Sequence, residues 1–332
     1  MIHLVTLDAP PQRTGGIASW VEDTALALQA QGAKVCLHAP DTKSARGWDA
    51  VQPFSVRRMW GRSWGRHQGR WVRLQLPRAI KPGDAVIYST WRLAEHAAAK
   101  VQVPQAITVH GSDLSAVGAD GHRFVATCGQ VQSVLTVSAY LKRLAKALGV
   151  QASVVPMPLA PAPLRGGFGP ELLVVARLTP LKGVDRVIRL AKALGRPLRV
   201  LGDGPQAAAL KTMGQGVVFE GRVSRERVFQ AMDHAAATLL LSKAGSGGQG
   251  AEGLGLVLLE AQARGCPVIS SGTGGLAEAT EQGLILADSD TPDLDRVRTF
   301  LKDLGAGERA RNWVRTRHSP ILCAKVLLEA LS

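Results

Sequence analysis

Cysteine is scarce in this chain. Cys36, Cys128, Cys266 and Cys323 are scattered over 332 residues, and no two form a C-x-x-C pair. That spacing excludes a disulfide framework and offers no metal-binding motif, so a reducing, cytoplasmic setting is the expectation. Long apolar runs are also missing. None approaches the ~18 residues that a membrane span requires. The opening M-I-H-L-V-T-L-D lacks a basic n-region and a small-residue cleavage site. It reads as a first strand, not as a secretory leader. No internal repeat is visible. These absences leave a chain with 46% apolar residues, long enough for two domains of roughly 150–170 residues each.

What is abundant is positive charge, and it is unevenly placed. The net charge is +14; residues 1–165 hold 19 Lys/Arg against 9 Asp/Glu, and residues 166–332 hold 21 against 17. The surplus of the first half implies an anionic partner. Its densest part is V-R-R-M-W-G-R-S-W-G-R-H-Q-G-R-W-V-R, residues 56–73. Arg62, Arg66, Arg70 and Arg73 recur there at helical spacing, with Trp60, Trp64 and Trp71 between the cations, although Gly61 and Gly65 weaken a helix. Arg and Trp together suit a lipid headgroup interface. Stacking on nucleic acid is the other use of such a segment, but no nucleic-acid module is visible elsewhere. A membrane or anionic acceptor contacted by Arg62, Trp64, Arg66 and Arg70 is therefore the leading expectation, with nucleic acid behind it.

Strand and helix signals alternate along the whole chain. Residues 2–7 read as a strand, followed by Gly15-Gly16 and an amphipathic helix from about Ile17 to Gln31. This loop is not G-x-G-x-x-G, so the dinucleotide fingerprint is absent there. Ala106 to Val109 reads as a strand ending in His110-Gly111-Ser112-Asp113, which sets a His at the strand end where α/β proteins bind ligands. Val134 to Ser138 repeats the pattern. V-V-P-M-P-L-A-P-A-P, residues 154–163, reads as a semi-rigid linker. Beyond it, Leu172 to Val175 leads into R-L-T-P-L-K-G, residues 177–183. Arg177 and Lys182 at a strand-to-helix turn suit a diphosphate, one as a planar fork and the other as a point charge. Ser224 is placed to cap the helix after Gly221-Arg222-Val223.

The stretch Ser242–Gly275 organises the second half. A buried strand, Ala235 to Leu241, enters a glycine-rich loop; a helix from about Gly255 to Ala263 follows, and Gly265 stands where a C-cap glycine would. The loop opens onto a helix N-terminus, whose free N–H groups and dipole favour an anion. Glu252 lies in the loop and Glu260 eight residues later inside the helix, after Leu256-Val257-Leu258-Leu259. A helical separation of roughly 12 Å is too long for two acids flanking one glycosidic bond, which need ~5–9.5 Å. It suits two carboxylates gripping two ends of an extended ligand. A solvated loop Glu and an exposed helix Glu remain the plainer reading of either one alone.

E-G-L-G-L-V-L-L-E-A-Q-A-R-G-C-P-V-I resembles the Glu-x7-Glu signature of the retaining, nucleotide-sugar-dependent glycosyltransferases of family four, which have the GT-B fold. H-G-S-D, R-L-T-P-L-K-G and the late Gly274-Gly275 extend the resemblance over nearly the whole chain. It departs from the family at Pro156-Met157-Pro158, where Pro-Asn-Gly is usual, and in the long glycine-rich tract 244–251. The resemblance implies an α/β fold of two Rossmann-like domains facing a central cleft. Residues 1–158 would bind the acceptor and 159–311 the nucleotide sugar, with 312–332 returning as a helix to the first domain. It implies that Glu260 holds the donor ribose, that Glu252 lies by the donor sugar, and that Arg177 and Lys182 clamp the diphosphate. Gly16, with the N–H groups of Gly253, Leu254 and Gly255, would lie near the phosphates, and the backbone of Gly221 and Val223 against the nucleobase. His110 would approach the sugar. Asp113 would orient His110 or the acceptor, and Gly15 and Ser138 would lie with it on the acceptor side.

The expectation is thus a retaining hexosyltransferase that works without a cofactor or a metal, because fixed cations and a helix dipole stabilise the departing nucleoside diphosphate. His110, Glu252, Arg177 and Lys182 are the expected catalytic residues. The expected acceptor is a cell-envelope glycan or glycolipid, such as a lipopolysaccharide core, met by a peripheral protein on the inner face of the membrane. The alternative is a basic membrane- or nucleic-acid-binding module that reuses the fold without catalysis.

Overall fold

The structure, a computed structural model, describes residues 1–11, 15–42, 45–60, 66–115, 117–160, 162, 169–244, 251–287, 289 and 292–332. The chain forms two compact units, residues 1–158 with 318–332 and residues 159–317.

Unit 1 runs β1 (Ile2–Val5), α1 (Gly16–Ala30), β2 (Val35–Pro40), α2 (Ala45–Ala50), β3 (Ser55–Met59), α3 (Arg66–Ala79), β4 (Ala85–Tyr88), α4 (Trp91–Ala97), β5 (Gln105–Val109), α5 (Gly111–Ser115), α6 (Gly121–Cys128), β6 (Ser133–Thr136), α7 (Ala139–Ala147) and β7 (Ser153–Val154). The strands form one parallel sheet in the order β3-β2-β1-β4-β5-β6-β7. β1, β2 and β5 are buried at every residue, as a parallel sheet covered on both faces requires. Trp20, Trp91, Tyr88 and Phe124 fill the space between sheet and helices. The order reverses between β1 and β4, so the loops after these strands diverge and leave a crevice at their C-terminal ends.

Unit 2 runs β8 (Leu172–Val175), a 3-10 turn (Pro180–Lys182), α8 (Val184–Leu194), β9 (Leu198–Leu201), α9 (Ala207–Met213), β10 (Val218–Gly221), α10 (Arg225–His234), β11 (Ala237–Leu240), α11 (Leu256–Ala263), β12 (Val268–Ser270), α12 (Leu276–Ala279), β13 (Leu284–Ile285), α13 (Leu294–Phe300) and α14 (Ala306–Arg317). Its parallel sheet has the order β10-β9-β8-β11-β12-β13, and the reversal falls between β8 and β11. Leu172, Val174, Val187, Ile188, Val200 and Leu239 belong to one apolar core that locks α8 onto the sheet.

The C-terminal segment divides later than expected. Residues 312–317 stay in unit 2, because α14 packs on α11. The chain returns to unit 1 at His318, whose Nδ1 accepts the Met157 N–H at 3.1 Å. The last helix, α15 (Pro320–Glu329), then packs on α1. The proline-rich stretch is no bare spacer either: Val155, Met157, Pro158 and Leu159 are buried. No helix among the described residues is long and apolar enough to cross a membrane.

Candidate active site

In unit 2 the expected residues gather at the C-terminal ends of the two strands flanking the reversal. Arg177 follows β8 and Lys182 closes the 3-10 turn after it. Glu252 lies in the loop after β11, and Glu260 on α11. Two close approaches bring these segments together. Gly183 has φ +61°, and a Cβ there would stand 1.8 Å from the Leu241 carbonyl oxygen, so only glycine lets the β8 turn lie on the end of β11. The Lys243 N–H then bonds the Leu181 carbonyl at 2.8 Å. On the other side, Gly275 donates to the Glu252 carbonyl at 2.8 Å, and a Cβ at Gly275 would meet the Gly253 carbonyl at 2.1 Å. The late Gly-Gly thus clamps the backbone that carries Glu252 and leads into α11.

Both carboxylates are held by cations. Lys182 Nζ forms an ion pair with Glu252, whose side chains are 28% and 21% exposed. A pair so open to water contributes about 1 kcal/mol or less. Its effect is to fix the positions of two groups from segments far apart in sequence. Glu260, 11% exposed, accepts a hydrogen bond from Arg225 Nη2 at 3.1 Å. The Arg225 guanidinium also stacks over Phe229, 5.1 Å from the ring centroid. Arg177 is exposed and makes no ion pair or side-chain hydrogen bond among the described residues. Gly221, φ +70°, ends β10 and accepts from the Gly202 N–H at 2.7 Å, and Val223 is half-buried beside it. Gly253 and Leu254 are buried, and Gly255, φ +87°, caps the start of α11.

Arg225 was not among the residues expected from sequence, although it carried a signal. Ser224 caps α10 by accepting from Arg227 N–H, which makes Arg225 the first helical residue. A cation at a helix N-terminus faces the positive end of the dipole and is unfavourable. Its presence there points to an acidic partner elsewhere.

In unit 1 the strand-end residues are buried instead of paired. His110 follows β5 and is 7% exposed; Trp20 packs edge-on against its ring with centroids 4.9 Å apart. Burial pushes its pKa down to about 3, so the imidazole is neutral. Its Nε2 is buried without a hydrogen-bond partner among the described residues. Such an atom costs about 1–3 kcal/mol, and functional sites are where native proteins tolerate the cost. Asp113 reaches back from α5 to accept the His110 backbone N–H at 2.9 Å and the Thr90 hydroxyl at 2.6 Å. Burial raises its pKa to about 6 against the pull of these hydrogen bonds.

Two residues expected on the acceptor side, Asp113 and Ser138, have partners within unit 1. Both Asp113 oxygens are turned inward, where they hold the His110 backbone and the Thr90 side chain, and do not face outward. Ser138 is 1% exposed and its hydroxyl accepts from Leu141 N–H as the cap of α7. Gly15 and Gly16 are exposed at the start of α1. A Cβ at Gly15 would meet nothing within 4 Å.

Of the basic segment, Arg62 and Trp64 lie outside the described residues, and Arg66 is described only as the first residue of α3. Arg70 is exposed on that helix, and Trp60 is 46% exposed. Trp71 is a core residue: it is 7% exposed and packs against the His38 ring.

Comparison with known proteins covers both units. The family model described as Glycosyltransferase Family 4 matches residues 14–160, and that described as Glycosyl transferases group 1 matches residues 167–315. A GDP-mannose-dependent alpha-(1-6)-phosphatidylinositol monomannoside mannosyltransferase of Mycobacterium tuberculosis is 27% identical, over 94% of this chain and 93% of its own. The protein of that name from Mycolicibacterium smegmatis is 29% identical over 92% and 89%. Among solved structures, Anabaena Alr3699/HepE in complex with UDP and glucose superposes with a TM-score of 0.79 at 15% identity, covering 99% of this chain and 98% of its own. AviGT4, a glycosyltransferase involved in avilamycin A biosynthesis, gives 0.74 at 20%, covering 99% and 96%. At those identities the likeness shows the fold.

Proposed function

From the premise that the chain belongs to the family-four glycosyltransferases and has their GT-B fold, we propose that it is a retaining, metal-independent hexosyltransferase using a nucleoside diphosphate sugar. Its acceptor is a hydroxyl of an anionic cell-envelope glycolipid, a lipid-linked glycan or a lipopolysaccharide core, met at the inner membrane surface. The names of the curated relatives make GDP-mannose the first donor to test and a phosphoinositide glycolipid the first acceptor. The basic surplus of residues 1–165 supports an anionic acceptor.

The observation that carries this reading is the Lys182–Glu252 contact at the reversal of the unit 2 sheet, with Arg177 on the same β8 turn. Departure of the nucleoside diphosphate builds negative charge on its phosphate oxygens, and fixed positive groups that need not reorganise stabilise that charge. Lys182 is already oriented by Glu252, and Arg177 is free to take a phosphate as a fork. The N-terminus of α11 adds its dipole. Glu260, oriented by Arg225, takes the ribose hydroxyls, and Glu252 lies on the sugar side. Gly16 belongs to the donor side of unit 1, and His110 to the sugar.

The test is thermal stability of the chain with GDP, UDP and ADP and their sugars, without metal, followed by the anomeric configuration of the product. One nucleotide at a hundred times its Kd stabilises by about 2.7 kcal/mol. Glu260→Ala abolishes that shift. Absence of any nucleotide shift in folded protein, or an Ala variant indistinguishable from the parent, would overturn the reading.

A further inference from the structure

The spacing of His and Cys along the chain gives no metal motif, but the register of the unit 1 sheet creates a candidate site. His3 of β1 pairs with Cys36 of β2, and His38 stands two residues further on, so the three side chains rise from one face of the sheet. All three are buried, and one ligand atom from each, Sγ or a ring nitrogen, lies within 4.8 Å of the others. His3 Nδ1 and His38 Nε2 face each other at 2.8 Å. His3 Nε2 is 3.2 Å from Asp84 Oδ2, while Asp84 Oδ1 meets the Met1 amino group at 3.1 Å. The carboxylate therefore holds the His3 proton on Nε2 and leaves the Nδ1 lone pair pointing into the cluster. A carboxylate behind an imidazole in this way is the usual support of a metal-bound histidine. Trp71 packs on the His38 ring, 5.4 Å between centroids.

A purely structural hydrogen bond between the two imidazoles does not use all of these groups. It gives the Cys36 thiol, which faces the same cluster, no part. We propose that His3 Nδ1, His38 Nε2 and Cys36 Sγ bind one thiophilic d10 cation, Cu+ or Zn2+, in a buried site that staples β1 to β2. Two imidazoles and one thiolate are a ligand set for such soft or borderline ions. Arg57, level with His38 on β3, adds positive charge and so favours the monovalent ion. The ion displaces the thiol proton, because a coordinating cysteine is bound as its thiolate. Binding thus moves the His38 proton from Nε2 to Nδ1 and releases the thiol proton to solvent, one proton per ion.

The site is distant from the proposed chemistry. His3 is level with Val86 and, through it, with Gln105 at the start of β5, whereas His110 follows the last residue of that strand. Five residues of extended chain span roughly 17 Å. Occupancy is therefore separable from transferase activity.

The experiment uses the full chain free of any His tag, loaded with Cu+ under reducing anaerobic conditions or with Zn2+, then exchanged into metal-free buffer. Metal is measured by mass spectrometry, and Co2+ is substituted to look for a thiolate-to-cobalt charge-transfer band. The expected result is about one ion per chain in the parent. Cys36→Ser should retain less than a tenth of that and lose the charge-transfer band, with sugar transfer within about twofold of the parent. Should Cys36→Ser fail to fold, two measurements on the parent decide. They are release of one proton per ion bound, and protection of one thiol from alkylation by the ion. Retention of no ion by the parent, or equal retention by a folded Cys36→Ser variant, would overturn the proposal.

Discussion

Lys182, Glu252, Arg225 and Glu260 in unit 2 and His110 and Asp113 in unit 1 all stand at the C-terminal ends of parallel strands or on the helices that follow. The first group is partly exposed, and each acid is held by a cation. The second group is buried, and each residue is driven toward its uncharged form. A cation in an exposed pair can share a new anion at little cost, because the pair itself is worth about 1 kcal/mol or less. A buried neutral imidazole held by packing does not exchange partners in that way. It positions and excludes water. Unit 2 is thus built to receive a charged ligand, and the unit 1 strand end is built to present one fixed ring and a glycine-lined loop beside it.

The largest effect that would break this contrast is expected at Lys182. Lys182→Ala removes a fixed positive charge from the proposed leaving-group site and should lower kcat by about 10²–10³, or roughly 2.7–4 kcal/mol of transition-state stabilisation. Nucleoside binding should largely survive, since Arg225 and Glu260 are untouched. Single-turnover rates at saturating donor, set beside the nucleotide-induced thermal shift, separate the two. A rate within a few-fold of the parent would mean that the ion pair is only a solvated face.

The two regions also differ in how far their sequence foretold them. The alternation of elements, the strand-end positions and the Glu252–Glu260 spacing were legible because they depend on local periodicity and turn chemistry. Which cation meets which acid was not. Lys182 finds Glu252 and Arg225 finds Glu260 only through strand order, which no spacing along the chain reveals. The same holds for His3, Cys36 and His38, which adjoin because β1 lies beside β2. The partners of Asp113 and Ser138 were hidden for another reason. A short polar side chain near a helix start serves equally well as a cap or as a ligand contact, and only its direction decides. Gly183 and Gly275 were readable as turns, but the carbonyl each one lies against was not.

A second, smaller effect tests whether the unit 1 groups are held by burial. Asp113 has a folded pKa of about 6, above its ordinary 3.8, so it binds its proton more tightly in the folded state. It therefore adds stability as pH falls from about 6 toward 3.8. His110 and His38, lowered to about 3 from 6.5, do the reverse and remove stability as pH falls below 6.5. In the parent these trends partly offset each other. Asp113→Asn removes the only stabilising one, so its melting temperature should drop more steeply than the parent's between pH 6.5 and 4. Parallel curves would show that Asp113 titrates normally and that its carboxylate is not buried as described.

The smallest expected effect on stability is at Gly15, and it is informative because of Gly183. Alanine at Gly183 would force a Cβ to 1.8 Å from the Leu241 carbonyl oxygen at a φ of +61°, so it should destabilise unit 2 by several kcal/mol. Gly15 has φ −92° and ψ 175°, which alanine adopts readily, and open space where its Cβ would lie. Alanine is a poorer N-cap than glycine, but it also lowers the entropy of the unfolded chain; each term is about 1 kcal/mol or less and they oppose each other. Melting should therefore shift little in Gly15→Ala. Beyond that modest capping preference, nothing among the described residues requires glycine at this position, and close approach by a bound molecule is a reason that the experiment can isolate. A normal melting temperature with a several-fold loss of kcat/KM for the acceptor would place the acceptor against this loop. A normal melting temperature with normal kcat/KM would remove Gly15 from the site and leave it as an N-cap of α1 only.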